Sequence, residues 1–254
     1  MVPVQHRPDG NGSRVRPAKA PDGAAIYAVG DIHGRLDLLD KLQAMILADA
    51  GRRRVDRRVV VYLGDYVDRG PDSRGVIERL IERPIDGFES RFLKGNHEDF
   101  MLRFLDDGSL ATSWMLNGGM ATLRSYGIDV LDPTRGEDRL ESARADLARA
   151  LPPNHRRFLE GLELWHREGD YLFVHAGVRP GMPMEAQRES DLLWIRHEFL
   201  NSDADFGAVV VHGHTVVGEP ETRVNRIGID TGAVMTGCLT ALAMVGAERT
   251  FIQT

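Results

Sequence analysis

The sequence predicts an α/β layered domain, and three observations carry that expectation. Short β-branched runs recur along the chain, each ends in a glycine-bearing polar cluster, and amphipathic helical stretches follow several of them. Strand, polar loop and helix in repetition is the pattern of a layered sheet whose ligand sites gather at the carboxyl ends of strands.

In order, the strand segments are "AAIYAVGDIHG", "RRVVVYLGDYVDRG", "SRFLKGNHE", "YLFVHAG" and "AVVVHGHT". "RLDLLDKLQAMILADA" places apolar residues at i, i+3 and i+4 and reads as a helix, as does "SRGVIERLIER" after the turn at Pro71. From Asp99 to about Gly161 the chain is helical and polar, broken at Pro152-Pro153, and reads as a cap over the strand exits or as a helical side of the core. "RVNRIGIDTGAVMTGCLTALAMV" reads as two or three strands joined by turns, with Cys238 a buried structural thiol.

Composition narrows the function classes. A chain of 254 residues, 42% hydrophobic and 28% charged, suits a globular protein with one sizeable core. A net charge of -6 with both signs spread along the chain supplies no basic field for non-specific nucleic-acid binding. One cysteine cannot form an internal disulfide. No run approaches the roughly 18 apolar residues of a membrane span. The opening "MVPVQHRPDGNGSRVRPAKAPDG" has no apolar stretch of the secretory type. The expectation is a disordered tail over residues 1–22, one domain over 23–254, a cytoplasmic location, and neither nucleic acid nor membrane as partner.

The strand exits carry the chemistry. "GDIHG" offers Asp31 and His33, "GDYVDRG" offers Asp65, and "GNHE" offers Asn96 and His97. "VHAG" adds His175, and "VHGHT" adds His212 and His214. Asp, His and Asn without thiolates suit manganese, iron or zinc rather than a structural zinc cluster. Any one cluster alone is a turn or a helix cap; five of them at successive strand exits are hard to obtain from structural needs.

The ordered set "GDIHG", "GDYVDRG", "GNHE", "HAG" and "GHT" resembles the phosphoprotein phosphatase family of binuclear-metal phosphoesterases, from about Ala24 to the C-terminus. "LLWIR", "HGHTVVGEP", "IDTGAVMTGCLTAL" and "WMLNGGMATLRSYG" are similar to its prokaryotic branch. The resemblance implies the calcineurin-like β-sandwich flanked by helices, four layers α/β/β/α. It implies two divalent ions, with Mn²⁺ expected for activity in vitro and iron–zinc occupancy the alternative. Asp31, His33 and Asp65 would bind the first ion, Asp65 would bridge, and Asn96, His175 and His214 would complete the second. His212 falls to a supporting or core position.

The same resemblance gives Asp68 the task of keeping His97 protonated, so that His97 donates a proton to the leaving oxygen while a hydroxide attacks phosphorus in line. Arg69 and Arg196 would clamp the phosphoryl oxygens. Lys94 joins them as a substrate-binding residue; it stands where many relatives have Arg before "GNHE", which keeps the charge but loses the bidentate fork. Glu98 reads as a first-turn helix acid that suits the macrodipole, and His155 is given no role.

The implied activity is a phosphomonoesterase on phosphoserine or phosphothreonine in proteins. The alternative is a symmetrical dinucleoside tetraphosphatase acting on a nucleotide phosphate; that family typically lacks the Asp of "DRG", so Asp68 favours the first. A catalytically silent phosphopeptide-binding scaffold is the rival from another class, and the complete set of ligands with the His97–Asp68 pair stands against it.

Overall fold

The run Ala24–Val29 is buried at every position, so it has to lie inside a sheet covered on both faces. The computed structural model describes residues 2–3, 17–131 and 138–254. Most of the expected tail lies outside these residues. Of its remainder, Ala20 is buried and the Lys19 N–H donates to Asp170 at 2.9 Å, so the packed domain begins before Gly23.

The chain runs β1 (Val2–Pro3), β2 (Ala24–Val29), α1 (Leu36–Ala50), β3 (Arg57–Tyr62), α2 (Ser73–Glu82) and β4 (Glu89–Phe92). β2, β3 and β4 are parallel, as strands joined by crossover helices should be. Alternation sorts their side chains. Ala25, Tyr27, Val29, Val60 and Tyr62 face α1 and α2, whereas Ile26, Ala28, Val59 and Val61 face the other way.

Next come α3 (Asn96–Asp107), α4 (Ala111–Trp114), a π turn over Met115–Gly119, α5 (Met120–Ser125), α6 (Arg139–Ala150) and α7 (Pro153–Glu160). Met101, Phe104, Trp114, Leu123, Leu147 and Leu159 enter the same core cluster as the residues of α1 and α2. Of the two readings of this segment, the structure therefore gives the helical side of the core. Pro152 ends α6 and Pro153 opens α7, where the missing N–H costs nothing.

The second sheet holds β5 (Trp165–Glu168), β6 (Tyr171–Val174), β7 (Val209–His212), β8 (Glu221–Thr222) and β9 (Arg226–Gly228), in spatial order β5-β6-β7-β9-β8. Tyr171, Phe173, Val209, Val211 and Ile227 meet the inner face of the first sheet. Leu172, Val174 and Val210 turn outward, onto residues of α8 (Glu189–Trp194) and α9 (His197–Leu200) such as Leu192 and Phe199. Helix, sheet, sheet and helix are thus four layers, as the family resemblance implies.

The chain closes with α10 (Ala233–Thr236), β10 (Thr240–Val245) and β11 (Glu248–Gln253), which complete the first sheet in the order β1-β11-β10-β2-β3-β4. Cys238 corrects an expectation: it is half-buried between α10 and β10 rather than inside a strand. Gly237, at φ 71°, ends the helix, and the strand starts only at Thr240.

Candidate metal centre

The parallel strands β2, β3, β4, β6 and β7 deliver their following residues to one place. Asp65 after β3 has His33 Nε2 at 3.4 Å, His175 Nε2 at 3.4 Å and His97 Nε2 at 3.8 Å from its carboxylate. Asn96 Oδ1 lies 2.9 Å from His175 Nε2 and 2.8 Å from His214 Nδ1. Asp31 accepts the His214 N–H at 3.0 Å. All six expected ligands are thereby brought together, every one of them buried.

The backbone is bent to do this. Among the described residues the non-glycine positions with positive φ are His33, Asp65, Asp68, Arg69 and His214, all of them expected site residues. A left-handed L-residue costs roughly 1–2 kcal/mol, so surrounding bonds must hold these turns. His33 N donates to Asp65 O at 2.8 Å and Gly34 N to Tyr66 O at 2.8 Å, tying the two turns together. Gly213 is required by close approach, since a Cβ there would lie 2.0 Å from Asp31 Oδ1.

Glu98 holds the bridging turn from beneath. Its buried carboxylate accepts the N–H groups of Asp65 at 2.9 Å, Tyr66 at 2.7 Å, Val67 at 3.2 Å and Gly95 at 2.9 Å. This corrects its reading as a first-turn acid serving the macrodipole. Burial, and then the charge of Asp65, push the Glu98 carboxyl up to about 7.

The donor set fits divalent cations. His33 Nδ1 sits 2.8 Å from Val67 O and His175 Nδ1 2.9 Å from Leu63 O, so each neutral ring donates to a backbone carbonyl and turns its Nε2 lone pair inward. The His175 lone pair then faces Asn96 Oδ1 with no proton between them, and buried His214 Nε2 has no hydrogen-bond partner. Acceptors crowded in this way call for a cation. Two buried triads, His33–Asp65–His97 and Asp65–His175–His214, each bring their ligand atoms within 4.8 Å of one another and share Asp65.

Titration follows the same layout. Burial pushes His33 down to about 3 and His214 down to about 2, which keeps both rings neutral and able to ligate. Burial raises Asp65, but the histidines that face it, among which His97 keeps its proton, outweigh it and hold the carboxyl far below the usual range. Asp31 is pushed up by burial and by its neighbours Asp230 and Asp65.

Beside the donors lies a second group. Asp68 Oδ2 takes His97 Nδ1 at 2.7 Å and the Trp114 Nε1–H at 2.8 Å, while Oδ1 takes the Thr122 hydroxyl at 2.6 Å. Burial opposes charge on His97, but Asp65 and the hydrogen-bonded Asp68 prevail and raise its pKa. Arg69 spans the two rings, Nη1 at 2.7 Å from His33 Nε2 and Nη2 at 2.9 Å from His97 Nε2. Arg196 reaches Thr215 Oγ1 at 3.3 Å and His214 O at 3.5 Å. Lys94 is engaged by Glu189 at 2.8 Å and Asp99 at 3.1 Å.

Sequence reasoning missed Trp114, Thr122 and Asp230. The first two lie in the "WMLNGGMATL" run, and only the fold shows that its tryptophan and threonine close on Asp68. His212 packs edge-on against Phe199 with ring centroids 5.0 Å apart and stays outside both triads, as a core residue should.

A sandwich with strand-exit Asp, His and Asn donors around a shared carboxylate defines a metal-dependent phosphoesterase. Residues 24–232 match the calcineurin-like phosphoesterases, and the chain belongs to that family. Serine/threonine-protein phosphatase 1 of Salmonella typhimurium is 30% identical over 220 residues, 85% of this chain and 89% of the relative. The asymmetrical bis(5'-nucleosyl)-tetraphosphatase PrpE of Bacillus thuringiensis is 26% identical over 232 residues, 84% of this chain and 88% of the relative. A crystal structure described as a candidate diadenosine tetraphosphatase superposes with a TM-score of 0.61 at 21% identity, covering 94% of this chain and 98% of its own. The dinucleotide-cleaving relative is thus of the asymmetrical type, whereas the motifs raise a symmetrical enzyme. Among the described residues no helix is long and apolar enough to cross a membrane.

Proposed function

We propose that the chain is a phosphomonoesterase for phosphoserine and phosphothreonine in proteins, with two divalent ions, Mn²⁺ serving in vitro. Asp31, His33 and Asp65 would hold one ion, and Asp65, Asn96, His175 and His214 the other. Ions bound there supply a nucleophile from water near neutral pH and offset charge on the phosphoryl oxygens.

The chain's own residues do the rest. Asp68, engaged on both oxygens, fixes the His97 ring and favours its charged form. Arg69 faces that ring with a guanidinium that opposes protonation. A phosphoryl group that takes Arg69 into a bidentate pair removes the opposition, and His97 then carries the proton for the leaving oxygen. Arg196 approaches from the β7 side and binds the same group.

The observation that carries this reading is the completed Asp68–His97 pair beside Arg69. A second observation favours one phosphoryl group over a polyphosphate chain. Lys94 is neutralised by Glu189 and Asp99, and Arg35 is clasped by Asp37 at 2.7 Å. Paired in this way, neither cation is free to meet the extra charges of a tetraphosphate.

The test is Mn²⁺-dependent phosphate release from a phosphoserine peptide and from diadenosine tetraphosphate, with wild type and His97→Asn. Peptide turnover is expected to dominate and to fall roughly 10²–10⁴-fold in the variant. Preference for the dinucleotide would move the chain to the asymmetrical tetraphosphatase reading, which the PrpE relative favours.

A further inference from the structure

The rim of the site carries apolar side chains that the core does not use. Leu116 is 84% exposed, Met235 75%, Val216 42% and Trp194 37%. Single exposed apolar residues need no explanation, but several at the mouth of one polar site mark a contact surface.

Their placement is set by residues already described. The Trp194 ring meets the His214 ring edge-on at 6.0 Å, with its other side against Phe100 at 5.1 Å. Val216 is two residues past His214. Its Cγ1 and the Met235 Cε converge on Gly232, where a Cβ would lie 3.1 and 3.3 Å from them. Gly232 in turn donates its N–H to Asp230, whose charge helps to raise the Asp31 carboxyl. Arg196 stands amid this group, bonded to Thr215 between His214 and Val216.

Leu116 belongs to the other clamp. It lies in the π turn two residues before Gly118, whose carbonyl accepts the Arg69 N–H at 3.2 Å. Gly118 has φ 106°, and a Cβ on it would lie 2.8 Å from Arg69 Cγ, so the turn that carries Leu116 is pressed against Arg69. Exposed apolar residues therefore lie in the segments that pack against each of the two arginines.

We propose that this rim is a specificity surface, selecting phosphoserine and phosphothreonine set between apolar residues of a phosphoprotein segment. The inference rests on the phosphomonoesterase reading above. A dianion held by two guanidinium groups leaves its neighbours in the peptide lying on Trp194, Val216 and Met235 on one side and on Leu116 on the other. Apolar neighbours gain by covering that surface, whereas charged ones lose water without finding a partner.

The test compares kcat/KM for two phosphoserine peptides of equal length and charge, one with Leu and Met beside the phosphoserine and one with Ser and Gly, and for diadenosine tetraphosphate. Wild type, Val216→Ser/Met235→Ser and Leu116→Ser are assayed with Mn²⁺. Wild type should prefer the apolar peptide roughly tenfold or more, mainly through KM, and each variant should cut the preference to about threefold or less. Equal use of both peptides by the wild type, or a preference that survives both variants, overturns the rim assignment and leaves the phosphomonoesterase reading standing. Turnover of the dinucleotide with neither peptide accepted overturns both.

Discussion

Asp49 and Asp65 are both buried carboxylates, one where α1 hands over to β3 and one where β3 ends. Asp49 is closed by the fold itself: Tyr27 donates its hydroxyl at 2.8 Å and Arg53 its Nε–H at 2.6 Å. Asp65 sits at φ 51° among histidine rings, and burial strips His33 and His175 of the charge that would have balanced it. A carboxylate that serves folding receives its cation from the chain, and one that serves chemistry is left short of charge on strained backbone.

Breaking the open member of the pair should have the largest effect. Asp65→Asn removes the shared donor of both triads, so metal content should fall from two ions per chain and turnover by on the order of 10⁴-fold or more. Elemental analysis of the purified variant checks this directly, and two retained ions would end the bridging assignment. The metal-free variant should keep its fold, because His97 retains the hydrogen-bonded Asp68 as its counter-charge.

Glu98→Gln attacks the support beneath that turn and should be intermediate. An amide group would set N–H donors against two of the four backbone N–H groups that Glu98 now accepts. The expected cost is about 2–3 kcal/mol in urea unfolding of the metal-free protein, with a 10–100-fold loss of Mn²⁺ affinity in a calorimetric titration. A variant of native stability and affinity would return Glu98 to the macrodipole role.

Asp49→Asn closes the comparison with the smallest effect, about 2 kcal/mol of stability at pH 7 and unchanged turnover. Burial raises the Asp49 carboxyl, but Arg53 and Tyr27 hold it below its ordinary value. Its contribution is therefore complete above the unfolded pKa near 4 and disappears as pH falls through the lower folded value. Wild type and variant should keep their difference in urea midpoint down to about pH 5 and converge as pH drops below about 4.

The strand-exit donors were legible because each is a short local pattern: strand, glycine, then Asp, His or Asn. Layer order followed from the same repetition together with the family resemblance. What escaped was long-range. Trp114 and Thr122 meet Asp68 across 46 and 54 residues of chain, and no local spacing announces that. Glu98 escaped for another reason: an acid in the first turn of a helix is ordinary, and only its burial under the neighbouring turn gives it four backbone partners. Cys238 was misplaced because apolar composition ran past the glycine that ends α10.

The pairing of β2 with β10 also governs how the molecule is made. Ala28 lies opposite Leu242, more than two hundred residues later, so the central strand has only one neighbour until that later strand has been synthesised. At roughly 5–20 residues per second, Asp31 waits on the order of 10–40 s for the strand that closes its sheet. Through that interval the flank of β2 is an open edge that a holdase chaperone could cover, and ion loading becomes a late event in the life of the nascent chain.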